Sequence, residues 1–162
     1  MRWQLLYDCP GAGRGRHRAA DTAQLGYDIA TATVVARLSR ILARPDQRFL
    51  VAEVDGRVVG WLHAAVSEYV ETDVFVVIGG LVVDKSHRRN GIGTMLMGRA
   101  EEWAKDQGCS VVRLWSSAAR TTAHRFYQQL GYRNLKTQYS FLKSLDGADQ
   151  EQVSRFVPRV DP

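Results

Sequence analysis

The sequence predicts a single α/β domain: a mixed central sheet of about six or seven strands with helices on both faces. Three observations carry that prediction. Two apolar runs meet at Asp55-Gly56, a strong antiparallel-hairpin signal because both turn positions need positive φ. Farther along, apolar runs alternate with stretches of helical spacing, the order of strand–helix–strand crossovers. Between these halves lies "VFVVIGGLVV", residues 74–83, apolar on both sides and therefore a strand covered on both faces.

Taken in order, "RWQLLYDC" near the start reads as a strand. The following "CPGAGRGRHR" is rich in Gly and Arg without an apolar period, so residues 1–20 read as a flexible or divergent segment. From Asp28, "DIATATVVARLSRILARPD" spaces Ile29, Val35, Leu38 and Leu42 as a helix does, with Asp28 as N-cap and Pro45 as the stop. "RFLVAEVDGRVVGWLHAAV" is the hairpin, and "SEYVETD" after it reads as a polar, acidic connection. Gly79-Gly80 inside the central strand marks a bulge or a close backbone approach. The spacing predicts a helix over 92–107 with Ile92, Leu96, Ala100 and Trp103 on one face and Gly108 as its C-terminal stop. "SVVRLWSS" is a further strand. "RTTAHRFYQQLG" is a helix with Ala123, Phe126, Tyr127 and Leu130 on its apolar side. "YRNLKTQYSFLKSL" then returns as one bent strand or two short ones. The domain so defined spans 21–145, and 146–162 reads as a polar tail.

Composition sets the bounds on function. The chain has 162 residues, 45% apolar and 24% charged, with a net charge of +5. No run approaches the ~18 apolar residues of a membrane span, and no signal peptide is read at the start. Cys9 and Cys109 are far apart and form neither a disulfide framework nor a metal pattern, so a reduced, cytoplasmic protein without a metal is expected. Cys109 reads as a small buried residue. The positive balance points to nucleic acid or to an anionic small ligand. Arg14, Arg16 and Arg18 have no aromatic platform or recognition helix beside them, which argues against nucleic acid.

Lys85, Arg88 and Arg89 do have structural context. In "LVVDKSHRRNGIGTML", residues 81–96, an apolar strand hands over to a helix through a basic, glycine-containing corner. The first amides of a helix lack intrahelical partners and carry the positive end of the dipole, so such a corner receives phosphate. Gly91 and Gly93 let an anion approach the backbone, and Arg88 and Arg89 add charge. A dinucleotide fingerprint fails because Leu96 stands at its third glycine, and no P-loop pattern is present.

What remains, Arg88-x-x-Gly91-x-Gly93 after an apolar strand, resembles the acyl-CoA pyrophosphate loop of the GNAT superfamily of N-acetyltransferases. "AHRFYQQLGY" is similar to that family's penultimate helix, and both segments fall in the family's order within residues 48–143. The resemblance implies acetyl-CoA as co-substrate and direct acetyl transfer to a primary amine of a small molecule or polypeptide. It implies that Leu81, Val82 and Val83 pair with the pantetheine arm, and that Arg89, Asn90, Gly91, Ile92, Gly93 and Thr94 hold the diphosphate with Arg88. A backbone N–H near Leu81 stabilises the oxyanion. It further implies cofactor contacts at Ser116, Ala123 and Phe126, and Tyr127 as general acid for the departing sulfur. Against these stand simpler roles: Tyr127 as a packed aromatic, and Ser116 and Ser117 as a cap or turn. A homodimer is the assembly the resemblance brings into view.

The general base departs from the pattern. Many relatives carry a glutamate on the central strand, where this chain has Val76, Val77 and Ile78. Glu68, Glu71 and Asp73 remain as acidic groups that attract a cationic acceptor or act through water. His63 and His124 are the other candidates, His63 reading first as a core histidine. The missing glutamate also motivates the rival expectation of a CoA-binding module with little catalysis.

Overall fold

In a computed structural model that describes residues 3–6 and 31–145, Asp55 and Gly56 both take positive φ, 49° and 75°. That pair lets a two-residue turn follow the strand twist. It joins β2 (Gln47–Val54) to β3 (Arg57–Tyr69). β1 (Trp3–Leu6) pairs antiparallel with β2, and β4 (Thr72–Val83) antiparallel with β3. β5 (Val112–Leu114) lies parallel to β4, giving a five-stranded sheet in the order β1-β2-β3-β4-β5. The sheet is mixed, as expected, but the described residues form five strands rather than six or seven.

Two segments account for the differences from expectation. "SEYVETD" is mostly strand: the β3–β4 ladder runs out to Tyr69↔Thr72, leaving only Val70 and Glu71 as a turn. Backbone pairing suffices there, so polar side chains do not end the ladder. Residues 132–144, expected to return as strand, have no regular secondary structure. Their apolar alternation is real, yet Leu135, Tyr139, Phe141 and Leu145 are exposed, and a strand exists only with a neighbour to pair with. "SVVRLWSS" is strand only over Val112–Leu114.

The chain divides into two compact units, residues 1–115 and 116–162. In the first, α1 (Thr31–Leu42) packs against β2 and ends before Pro45, while Asp28 and the Gly/Arg-rich segment lie outside the described residues. α2 (Ile92–Asp106) packs over β2, β3 and β4. It buries Ile92, Leu96, Met97, Ala100, Trp103 and Ala104. Gly60, Leu62 and Ala64 alternate on the facing side of β3, in register with Ala52 and Leu50 of β2 and Leu81 and Ile78 of β4. Leu50, Leu62 and Leu96 are fully buried, each burial contributing about 1.5–3 kcal/mol. α2 stops at Gly108, φ 74°, and Cys109 behind it is buried. In the second unit α3 (Thr121–Gln129) ends the same way, with Gly131 at φ 90° and the Tyr132 amide on the Tyr127 carbonyl at 3.0 Å.

Candidate functional site

The central strand is paired unequally on its two edges. β3 accompanies β4 to Val83, through His63↔Gly80, Leu62↔Leu81, Trp61↔Val82 and Gly60↔Val83. β5 leaves much earlier, its last pair being Ile78↔Leu114. From Gly79 to Val83 no described strand pairs with the edge that β5 borders upstream. An extended amide-bearing ligand can add to such an edge as a strand would.

The Gly79-Gly80 pair sits where the two ladders part. Register shifts between His63 and Ala64, so Gly79 is the extra residue of a bulge. Both glycines are also required sterically. A Cβ on Gly79 would lie 2.9 Å from His63 Nδ1, and one on Gly80 would lie 2.8 Å from the Trp61 ring. Trp61 is held in turn by stacking on Phe49, ring centroids 5.6 Å apart.

β4 hands over to α2 through a 3₁₀ turn, Lys85–His87, capped by Asp84, whose carboxylate accepts from the Ser86 amide at 2.8 Å. Hydrogen bonding from Ser86 holds the Asp84 carboxyl below the usual range. Arg88 Nε donates to the Val83 carbonyl at 3.1 Å, so its guanidinium bends back over the end of β4. Arg89 and Gly91 both adopt positive φ, 62° and 78°. Gly91 is the N-cap of α2, no side-chain cap is made there among the described residues, and a Cβ there would meet open space. The amides of Ile92, Gly93 and Thr94 thus open the helix without a side-chain acceptor, and Arg89, Asn90 and Gly91 are exposed beside them. This arrangement fits a diphosphate.

Gly60, which the sequence reading did not single out, seats that helix end. A Cβ at Gly60 would come 3.0 Å from the Val82 carbonyl and 3.3 Å from Ile92. Its absence lets the first residue of α2 rest on the sheet beside the open stretch of β4. Only a glycine inside an apolar strand run signalled it.

In the second unit, Phe126 and Tyr127 meet edge to face at 5.2 Å, and Tyr127 meets Tyr132 at 6.1 Å. Burial pushes the Tyr127 phenol up, with Arg120 opposing, so the phenol keeps its proton. Ala123, Phe126 and Tyr127 share the half-buried side of α3. Among the described residues the Ser116 hydroxyl is buried without a hydrogen-bond partner. His124 Nε2 donates to the Ser117 carbonyl at 3.0 Å, tying α3 to the turn before it.

Glu68, Glu71 and Asp73 are exposed around the β3–β4 turn. Asp73, nearest the bulge, precedes Gly79 by roughly 20 Å of strand at about 3.3 Å per residue. At that range they act on an acceptor's charge rather than on its proton. His63 is closer. Its ring lies over Gly79, Nε2 is 2.9 Å from Gln47 Oε1, and burial lowers its pKa. Among the described residues no group of His, Cys, Asp and Glu forms a metal site, and no helix is long and apolar enough to cross a membrane.

Comparison with known proteins identifies a family. The sequence model described as Acetyltransferase (GNAT) family matches residues 16–132. An uncharacterized N-acetyltransferase of Methanocaldococcus jannaschii is 30% identical over 105 residues, covering 64% of this chain and 46% of that protein. An aminoglycoside N(6')-acetyltransferase type 1 of Acinetobacter haemolyticus is 29% identical over 119 residues, covering 71% of this chain and 82% of that one. The chain therefore spans about half of the first relative and four fifths of the second. Among solved structures, AAC(6')-Iy in complex with the bisubstrate analogue CoA-S-monomethyl-acetylneamine superposes with a TM-score of 0.73 at 18% identity, over 89% of this chain and 99% of that one.

Proposed function

The chain belongs to the GNAT acetyltransferase family, whose reaction is acetyl transfer from acetyl-CoA to an amine, and from that premise we propose the following assignment of roles. The open edge of β4, Leu81 to Val83, takes the pantetheine arm, and the amides from Arg89 to Thr94 take the diphosphate with Arg88 and Arg89 alongside. The observation that carries this is the uncapped start of α2 at Gly91, directly after the strand that outruns β5. Ser116, Ala123 and Phe126 add contacts to the co-substrate.

Chemistry follows from charge. Attack on the thioester carbonyl puts negative charge on its oxygen, which the backbone N–H at Leu81 stabilises. The bulge at Gly79 frees the strand to present that amide. Expulsion of sulfur needs a proton, and the Tyr127 phenol, held protonated by burial, supplies it.

The acceptor is a primary amine of a small molecule, with a polypeptide amine as the alternative. The relative from Acinetobacter haemolyticus, an aminoglycoside acetyltransferase by name, favours a polyamine-like small molecule. The exposed acidic turn at Glu68, Glu71 and Asp73 would draw such a cation electrostatically. A cytoplasmic setting and a homodimer complete the reading, the latter checked by sedimentation. The test is release of free thiol from acetyl-CoA across a panel of amines that includes aminoglycosides. Turnover of an amine supports transfer. Tight acetyl-CoA binding with no amine turned over would instead make the chain a CoA-binding module.

A further inference from the structure

No carboxylate follows Asp73 on β4, yet one side chain stands where the strands part. We propose that His63 is the proton acceptor for the incoming amine, with Gln47 as the residue that positions it. The inference rests on the acetyl-transfer reading above and adds the base to it.

Three features of the fold converge on this ring. First, its place: His63 is paired in register with Gly80, two residues from the Ile78↔Leu114 pair where β5 leaves β4. Second, its orientation: Gln47 Oε1 accepts from Nε2 at 2.9 Å, which puts the ring proton on Nε2 and leaves the Nδ1 lone pair bare. No hydrogen bond from a described residue reaches Nδ1. It faces Gly79, whose missing Cβ would otherwise lie 2.9 Å away. Third, its surroundings: Gln47 and Gly79 carry no charge, and half-burial favours the neutral imidazole, the form able to take a proton. The ring engages one nitrogen with Gln47 and points the other at the glycine bulge beside the oxyanion amide.

An acceptor ammonium, destabilised as the site strips its water, gives one proton to Nδ1. The freed electron pair forms the C–N bond with the thioester carbon. The C–S bond breaks with its pair going to sulfur, and the second nitrogen proton is balanced by the one that ends on the thiol. The imidazolium returns its proton to solvent.

The test uses the full chain, with acetyl-CoA and primary amines ranging from strongly basic alkylamines to weakly basic hydroxylamine-type acceptors that are neutral at the assay pH. His63→Asn should lower kcat on the strongly basic amines by about 10²–10⁴-fold. Turnover of the weakly basic amines should change little, and acetyl-CoA should still raise Tm as in the wild type. If that variant does not fold, His63→Gln, which keeps more of the volume, gives the same readout. Unchanged turnover, or an equal loss across the whole panel, overturns the role. Wild-type protein that is stabilised by acetyl-CoA but acetylates no amine overturns both this inference and the transferase reading. Loss confined to basic amines in one variant, with acetylation intact in the wild type, supports both.

Discussion

Replacing Gly91 by aspartate separates the anion site from the stability of the fold. Gly91 has φ 78° and open space where its side chain would be. The Cβ of an aspartate meets no atom there, and the left-handed conformation costs it at most about 1–2 kcal/mol, less than most residues. Its charge recovers roughly 0.3–1 kcal/mol at the helix N-terminus. The net penalty is then about 1 kcal/mol, a fall of roughly 2–4 °C in Tm for a chain of this size. The effect on ligand is far larger. At 100 times its dissociation constant acetyl-CoA should stabilise the wild type by about 2.7 kcal/mol, or roughly 5–11 °C on the same scale. Gly91→Asp sets a carboxylate beside the amides of Ile92, Gly93 and Thr94 and should abolish that rise. Gly91→Ala carries at least as much backbone strain without the charge and should keep most of that rise. Thermal scans of the three proteins with and without acetyl-CoA decide the matter. A folded aspartate variant that is stabilised as fully as the wild type would refute the placement of the diphosphate.

Tyr127→Phe should leave acetyl-CoA stabilisation intact and lower kcat, and unchanged kcat in a thiol-release assay would remove the phenol from the reaction. Gly60→Ala should weaken acetyl-CoA binding as well as stability, because the added methyl meets the Val82 carbonyl and Ile92 at 3.0 and 3.3 Å; titration calorimetry checks the first and urea melts the second. Leu62→Ala empties a site that is 0% exposed and should destabilise by about 2–5 kcal/mol in the same melts. His63 has a folded-state pKa below its ordinary 6.5, so the unfolded chain binds more protons between the two values. Stability from this group is therefore present above pH 6.5 and falls as pH drops below it. His63→Gln should flatten that part of the stability–pH curve, and an unchanged slope would contradict the assignment.

Elements whose signal is local were legible in the sequence. Asp55-Gly56 had to be a turn because two adjacent positive φ values are tolerated by few dipeptides, and α2 declared itself through Ile92, Leu96, Ala100 and Trp103. Gly79-Gly80 read as a bulge or close approach and is both, because the ladder shifts there while two rings lie on the missing side chains. The rest needed a partner to become visible. The β3–β4 ladder extends through polar residues to Tyr69↔Thr72 because backbone pairing ignores side-chain polarity. Residues 132–144 carry strand-like alternation but no regular pairing. Gly60 matters only through what α2 brings against it. His63 read as a core histidine from its apolar strand, and only the fold reveals that one nitrogen is held by Gln47 while no described residue hydrogen-bonds the other. The helix start at Gly91 stands between these cases: motif spacing pointed to it, and the absence of a side-chain cap gives the physical reason.

Titration of amide-labelled protein with acetyl-CoA, followed residue by residue by NMR, tests the central assignment most directly. The account predicts large shifts at Arg89 to Thr94 and at Gly79 to Val83, with little change at the β3–β4 turn. Saturable binding that left both stretches unmoved and perturbed another surface would contradict it.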